Sequence, residues 1–160
     1  MLQSLRKRLD RSEEGFTLIE LMVVVLIIAI LLAIAIPTFL GARSRAQDRA
    51  AQSNLRNALT TEKTYYTDTQ VYSKTIADMT AIEPNLVFHA TDPKLGIVLQ
   101  QPAADTSVVC MTRTSASNSV FAIWESSAKG TYYGKTTLVA AADCNDAATG
   151  APAGFVQTGW

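Results

Sequence analysis

The residue type most out of place is Glu20, a carboxylate in the fifth position of a run from Phe16 to Leu40 that only Thr17, Pro37 and Thr38 otherwise interrupt. An ionised side chain at the centre of a membrane helix costs about 2.5–3.5 kcal/mol on insertion scales and less near an interface. Three uses fit it. It can snorkel to a headgroup layer, it can sit at the positive end of a helix dipole, or it can wait for a cationic partner inside an assembly. Cys110 and Cys144 are the two cysteines. Outside the cytoplasm such a pair is expected to join as a disulfide, closing a loop that stabilises by about 3.5–4 kcal/mol; two buried thiols are the alternative. His89, in Phe88-His89-Ala90, reads as a strand or edge residue rather than a base. Asp143, Asn145 and Asp146 surround Cys144 but fall short of the ligand count of an EF-hand-like calcium loop, so no metal is expected. No P-loop, G-x-S-x-G or dinucleotide-binding glycine pattern occurs. No enzyme, cofactor or small-molecule substrate is expected.

These residues need elements to carry them. The chain has 160 residues, the size of one domain with an appendage. Lys+Arg and Asp+Glu each number 14, which argues against nucleic-acid binding by bulk charge. Residues 1–15 form a basic start, with Arg6, Lys7, Arg8 and Arg11, then Glu13 and Glu14. From Leu21 to Ile36 every side chain is apolar. A bilayer core of about 30 Å needs roughly 20 helical residues, so Phe16 to Leu40 is long enough to span it. No A-x-A site closes the run, as a discarded signal would require; the small residue, Gly15, stands in front of it. Arg43, Arg45 and Arg49 follow the run, so the positive-inside bias is mild. The cysteines favour an outside location for the C-terminal part.

The helical period continues beyond the run. Ala46, Ala50, Leu55, Ala58, Leu59 and Tyr66 fall near one face. Arg49, Arg56 and Lys63 recur every seven residues on another, read first as a solvated face and otherwise as subunit ion pairing or DNA contact. A helix is expected from about Phe16 to about Tyr66. Pro37 removes the amide that would bond the Ala33 carbonyl and should kink it, with Gly41 a second soft point one turn later. Thr67-Asp68-Thr69-Gln70 reads as the exit, and Ile76 to Ile82 as part of a connecting segment. Strands are expected at Leu86–Ala90, Leu95–Gln100, Ser107–Arg113, Val120–Glu125 and Thr131–Val139, separated by turn formers such as Ser117-Asn118 and Lys129-Gly130. The fold class is α+β. A long N-terminal helix would cover a C-terminal antiparallel sheet of four or five strands, and Phe155 and Trp160 would pin the tail.

The stretch Gly15-Phe16-Thr17-Leu18-Ile19-Glu20-Leu21, behind a basic leader and ahead of an unbroken apolar stretch and Pro37, resembles the processing motif of type IV pilins and their relatives, the pseudopilins. Beyond the apolar helix the chain resembles that family only in layout. The resemblance implies that a prepilin peptidase cuts between Gly15 and Phe16 on the cytoplasmic side and N-methylates Phe16. The mature subunit would wait in the inner membrane and then pass, through a pilus assembly platform, into an extracellular helical filament of identical copies. Glu20 would pair there with the Phe16 amine of a neighbour, a buried pair that is costly to break singly. Many pilins also staple the C-terminal loop to the sheet, as Cys110 and Cys144 would. The implied organisation is a leader (1–15), a hydrophobic helix (16–41), an amphipathic helix (42–67) and a β-rich head (68–160). The expected function is a structural subunit, foremost a major pilin, of a type IV pilus serving adhesion, motility or DNA uptake. A type II secretion pseudopilin is the alternative, or a minor pilin that binds DNA or surfaces.

Overall fold

The computed structural model describes residues 15–102, 105–136 and 150–160. Two compact units divide between Gly41 and Ala42. The long helix α1, Leu18–Thr69, contributes to both.

In the first unit every described residue up to Leu40 is exposed. Apolar side chains cover all sides of this part of α1, so it has no single face to bury against a core. Leu18 to Leu40 rises roughly 34 Å, enough to cross a bilayer. The chain stays α-helical through Pro37 and Gly41. Next to the proline, the Thr38 hydroxyl donates to the carbonyls of Ile34 at 3.2 Å and Ala35 at 2.8 Å. Such side-chain bonds support the backbone where proline lacks its own amide.

In the second unit α1 buries Ala51, Leu55, Ala58, Leu59, Thr61 and Glu62. Leu55, Ala58 and Leu59 are buried as expected and Tyr66 packs against them, but Ala46 and Ala50 are exposed, and Asp48 and Ala51 lead into Leu55 instead. The Asp48 carboxylate accepts from Ser115 Oγ at 2.7 Å and from Ser117 Oγ, which ties that turn of the helix to the loop carrying both serines. The helix also runs to Thr69, past the expected end near Tyr66. Threonines weaken helices by offering competing bonds. Here Thr60, Thr61, Thr64, Thr67 and Thr69 each donate to the carbonyl four residues back, so their hydroxyls bond within the helix rather than to a competing turn. Gln70, with φ 61°, takes the left-handed conformation that terminates it.

The connecting segment contains a second helix, α2, Ile76–Ile82, whose Met79 is fully buried. Leu86–Ala90 is not a strand, contrary to expectation. Its pairing is a single parallel bridge, Phe88 to Ile97. The reason is the turn that follows. His89 Nδ1 accepts from the amides of Thr91 (3.3 Å) and Asp92 (2.9 Å), which ends the extended stretch. His89 is therefore a turn organiser, not a strand residue. Gly96 permits the close return, because a Cβ there would lie 2.7 Å from the Phe88 carbonyl carbon.

Four strands follow: β1 Val98–Gln100, β2 Val108–Thr114, β3 Val120–Ser126 and β4 Gly130–Thr136. They pair antiparallel in chain order. The turns fall at the expected formers, with Asn118 (φ 66°) and Gly130 (φ 82°) in left-handed conformations. Residues 137–139, the end of the last expected strand, lie outside the described residues. The register places Cys110 opposite Trp124 and Trp124 opposite Tyr132; Met111, Ile123 and Tyr133 form the next row. One sheet face, with Val109, Met111, Phe121 and Ile123, packs on Leu55, Ala58 and Leu59 of α1. The other holds Val108, Cys110 and Trp124 against Tyr132, Ala151 and Phe155. Burial on both faces explains why β3 reads as a continuous apolar run rather than an alternation.

The C-terminal residues close the edge strand, as expected of Phe155 and Trp160. Tyr133 and Val156 exchange backbone hydrogen bonds of 2.7 and 2.9 Å. The Phe155 ring occupies the space over Gly134, where a Cβ would approach it to 2.5 Å. Trp160 donates its indole N–H to the Gly134 carbonyl at 2.7 Å and stacks edge-on against Phe121 and Tyr133. This covering removes an open β edge from solvent.

The basic stripe is not simply a solvated face. The Arg56 guanidinium lies 5.1 Å from the Trp160 ring centre, and Lys63 Nζ lies 3.3 Å from Glu125 Oε1. Arg56→Ala should therefore lower the melting stability by about 0.5–1 kcal/mol through the lost cation–π contact. Arg49→Ala, at an exposed site, should change it by less than about 0.5 kcal/mol. Thermal denaturation of the two variants side by side checks this.

Candidate functional site

The start of α1 is built as a capping box. Thr17 stands just before the first helical residue, and Glu20 follows three residues later. The Glu20 amide donates to Thr17 Oγ1 at 3.2 Å. Glu20 Oε2 accepts from the Thr17 amide at 2.9 Å and from the Thr17 hydroxyl at 2.6 Å. The carboxylate is thus folded back towards Phe16 at the positive end of the helix. Of the uses the sequence left open for Glu20, helix-terminal stabilisation is seen directly. The Thr-x-x-Glu spacing was the available signal for it. Phe16 is 87% exposed beside this box. A Cβ on Gly15 would meet no atom within 4 Å. Packing among the described residues therefore does not require glycine there.

Other sequence candidates separate. Cys110 is fully buried between Val108 and Trp124, and no free cysteine occurs among the described residues. Cys144, Asp143, Asn145 and Asp146 lie outside the described residues. Among the described residues no cluster of three or more His, Cys, Asp or Glu could hold a metal.

Two buried carboxylates escaped the sequence reading. Glu125 on β3 is 5% exposed at its side chain; it pairs with Lys63 and accepts from Tyr72 Oη at 3.3 Å and Thr131 Oγ1 at 2.5 Å. Burial of the Tyr72 phenol, and then the charge and hydrogen bond of Glu125, push it well above the ordinary tyrosine range. Glu62 on α1 is 0% exposed. Burial pushes its carboxyl up to about 8, helped by Asp78 and opposed by the Ser73 amide it accepts from. Its place at helical spacing after Leu55 and Leu59 was the signal.

Residues 10–36 match the family described as the prokaryotic N-terminal methylation motif. Over 66 residues the chain is 44% identical to the type IV major pilin protein PilA of Myxococcus xanthus, covering 41% of this chain and 30% of that protein. Over 72 residues it is 40% identical to the type IV wide pilus major component PilA4 of Thermus thermophilus, covering 45% and 55%. Over 87 residues it is 37% identical to the type II secretion system core protein G of Vibrio cholerae, covering 52% and 55%. The chain thus spans about half or less of the length of these relatives. A methylation motif that opens on a capped glutamate, an exposed apolar helix behind it and an antiparallel sheet packed on the upper helix accompany this similarity to type IV pilus components and to a type II secretion protein.

Proposed function

We propose that this chain is a prepilin that becomes the major structural subunit of a type IV pilus. The observation that carries the reading is the apolar part of α1. It exposes Leu, Ile and Val on every side while a carboxylate is fixed at its start. Such a surface is stable in two settings: a bilayer, and a bundle of identical helices. A subunit that moves from one to the other uses the same surface in both. The similarity to two major pilus components supports the reading. On this reading the chain catalyses nothing. A prepilin peptidase removes residues 1–15 at the open Gly15 junction and methylates Phe16. The inner membrane holds the processed subunit, and an assembly platform adds it to an extracellular filament of its own copies. Pro37 and Gly41 are the points where the helix can bend on that passage. Cys110 and Cys144 form the disulfide of the head. A piston-like pseudopilin is the second reading, favoured by the 87-residue similarity to a type II secretion protein.

Processing gives the direct test. Intact-mass measurement of the subunit from sheared filaments should show a chain beginning at N-methylated Phe16. A subunit retaining residues 1–15 would refute the reading. Filaments too short to shear from cells, with correct processing, would favour the pseudopilin.

A further inference from the structure

Glu62 has no role in the filament reading, and its surroundings are unusual. It is fully buried, in the second unit, where α1 meets the connector to α2. An ionised carboxylate needs donors on both oxygens when water is excluded. Among the described residues Oε2 has one, the Ser73 amide at 3.1 Å, and Oε1 has none. The described groups that face it add no compensating cation. Asp78 approaches from α2, Tyr72 from the connector and Tyr65 from its own helix. Glu125 on β3 lies beyond Tyr72, and Lys63, the neighbour of Glu62 on α1, is turned to Glu125 at 3.3 Å. A neutral acid is the less costly state of this geometry: it removes the buried charge, leaves Oε2 as the acceptor for Ser73, and puts the proton on Oε1, where an unpartnered hydroxyl costs less than an unpartnered carboxylate oxygen.

Ser73 is the joint of the connector. Its amide reaches Glu62, its hydroxyl donates to Asp78 Oδ2 at 2.7 Å, and that hydroxyl oxygen accepts from the Thr75 amide at 2.9 Å. One residue thus ties α1 to the N-terminal turn of α2. We propose that Glu62 is a proton-operated latch: as a neutral acid it holds residues 70–75 and the start of α2 against α1, and loss of its proton lets that segment open while the sheet stays folded. The step moves one proton from Glu62 to solvent and breaks the Glu62–Ser73 hydrogen bond. The latch stands on the second unit alone and does not depend on the filament reading.

The sign follows from the raised pKa. Once open and hydrated, Glu62 has an ordinary value of about 4.3. Below that the closed state carries no penalty. Between there and about 8 the open state releases a proton that the closed state keeps, so opening rises about tenfold per pH unit and then levels off. Hydrogen exchange of the full chain in detergent micelles, read residue by residue as protection factors from pH 5 to pH 9, tests this. Ser73 and Met79 protection should fall about tenfold per unit to near pH 8 and flatten, with Ile123 on β3 unchanged. Glu62→Gln keeps the acceptor and cannot ionise, so its profile should be flat. Flat wild-type protection, an equal fall at Ile123, or the same fall in Glu62→Gln overturns the latch. Carbon-13 titration of the wild-type Glu62 carboxyl supplies a check free of mutation: a midpoint in the ordinary glutamate range overturns it too.

Discussion

Cells carrying Glu20→Ala should accumulate processed, membrane-held subunit and shed no filaments. On the prepilin reading, cleavage after Gly15 would create a new ammonium at Phe16, at the end of an apolar helix. In a filament core that charge is tolerable beside a carboxylate and costs about 3–5 kcal/mol without one. Removing Glu20 also removes a charge from the apolar run, so insertion should be unchanged or slightly improved. The capping box sharpens the test, because Glu20 also stabilises the helix start through Thr17. Glutamine keeps a capping-box side chain and loses the charge. If capping were the only role, Glu20→Gln would assemble normally and only Glu20→Ala would fail. If Glu20 merely snorkelled, both would assemble. Pairing with a neighbour's amine requires both to be impaired, with the glutamine variant intermediate at best. Filament yield by shearing and electron microscopy, alongside membrane levels of processed subunit, separates the three. Normal yield from Glu20→Ala would end the pairing role.

Reduction of the head should lower its melting midpoint by roughly 10–25 °C. Chain entropy assigns a disulfide between Cys110 and Cys144 about 3.5–4 kcal/mol, and each kcal/mol moves the midpoint of a domain this size by roughly 3–6 °C. The buried setting of Cys110, packed with Val108 and Trp124, should leave the sheet's side-chain packing in place when the bond is cut. The loss should therefore appear as a lower midpoint with a native-like fold at low temperature. Thermal denaturation with and without reductant, with thiol counting on the native protein, reads it. An unchanged midpoint, or two titratable thiols in the oxidised protein, would rule the bond out.

Hydropathy and local chemistry determined much of this protein without any structure. The apolar segment was legible because a run this long is set by solvent transfer, which depends on residue type and not on contacts. Most strands and turns were legible for a similar reason: β-branched runs between Asn, Gly and Pro carry local preferences that the sheet did not override. Helix α1 outran its expected end near Tyr66: Thr67 and Thr69 bond carbonyls four residues back where the same residue types could have bonded into a turn, a choice between two local bonds that only the folded chain makes. Leu86–Ala90 had a strand's composition, but no neighbouring strand was placed to pair along it, and His89 turned the chain away. The burial of Glu125 was decided by tertiary structure alone, and that of Glu62, which shares helical spacing with Leu55 and Leu59, was decided by which helix face met the sheet. The same residue type at the same helical spacing is solvated on one face and desolvated on the next, and the helix face that meets the sheet turned out to run through Ala51 and Glu62 rather than Ala46 and Ala50. Lys63 and Arg56 show the converse. As a stripe they looked solvated, yet Glu125 and Trp160, distant in sequence, meet them once the sheet packs on α1, because an ion pair or a ring contact exists only where the fold brings both partners together.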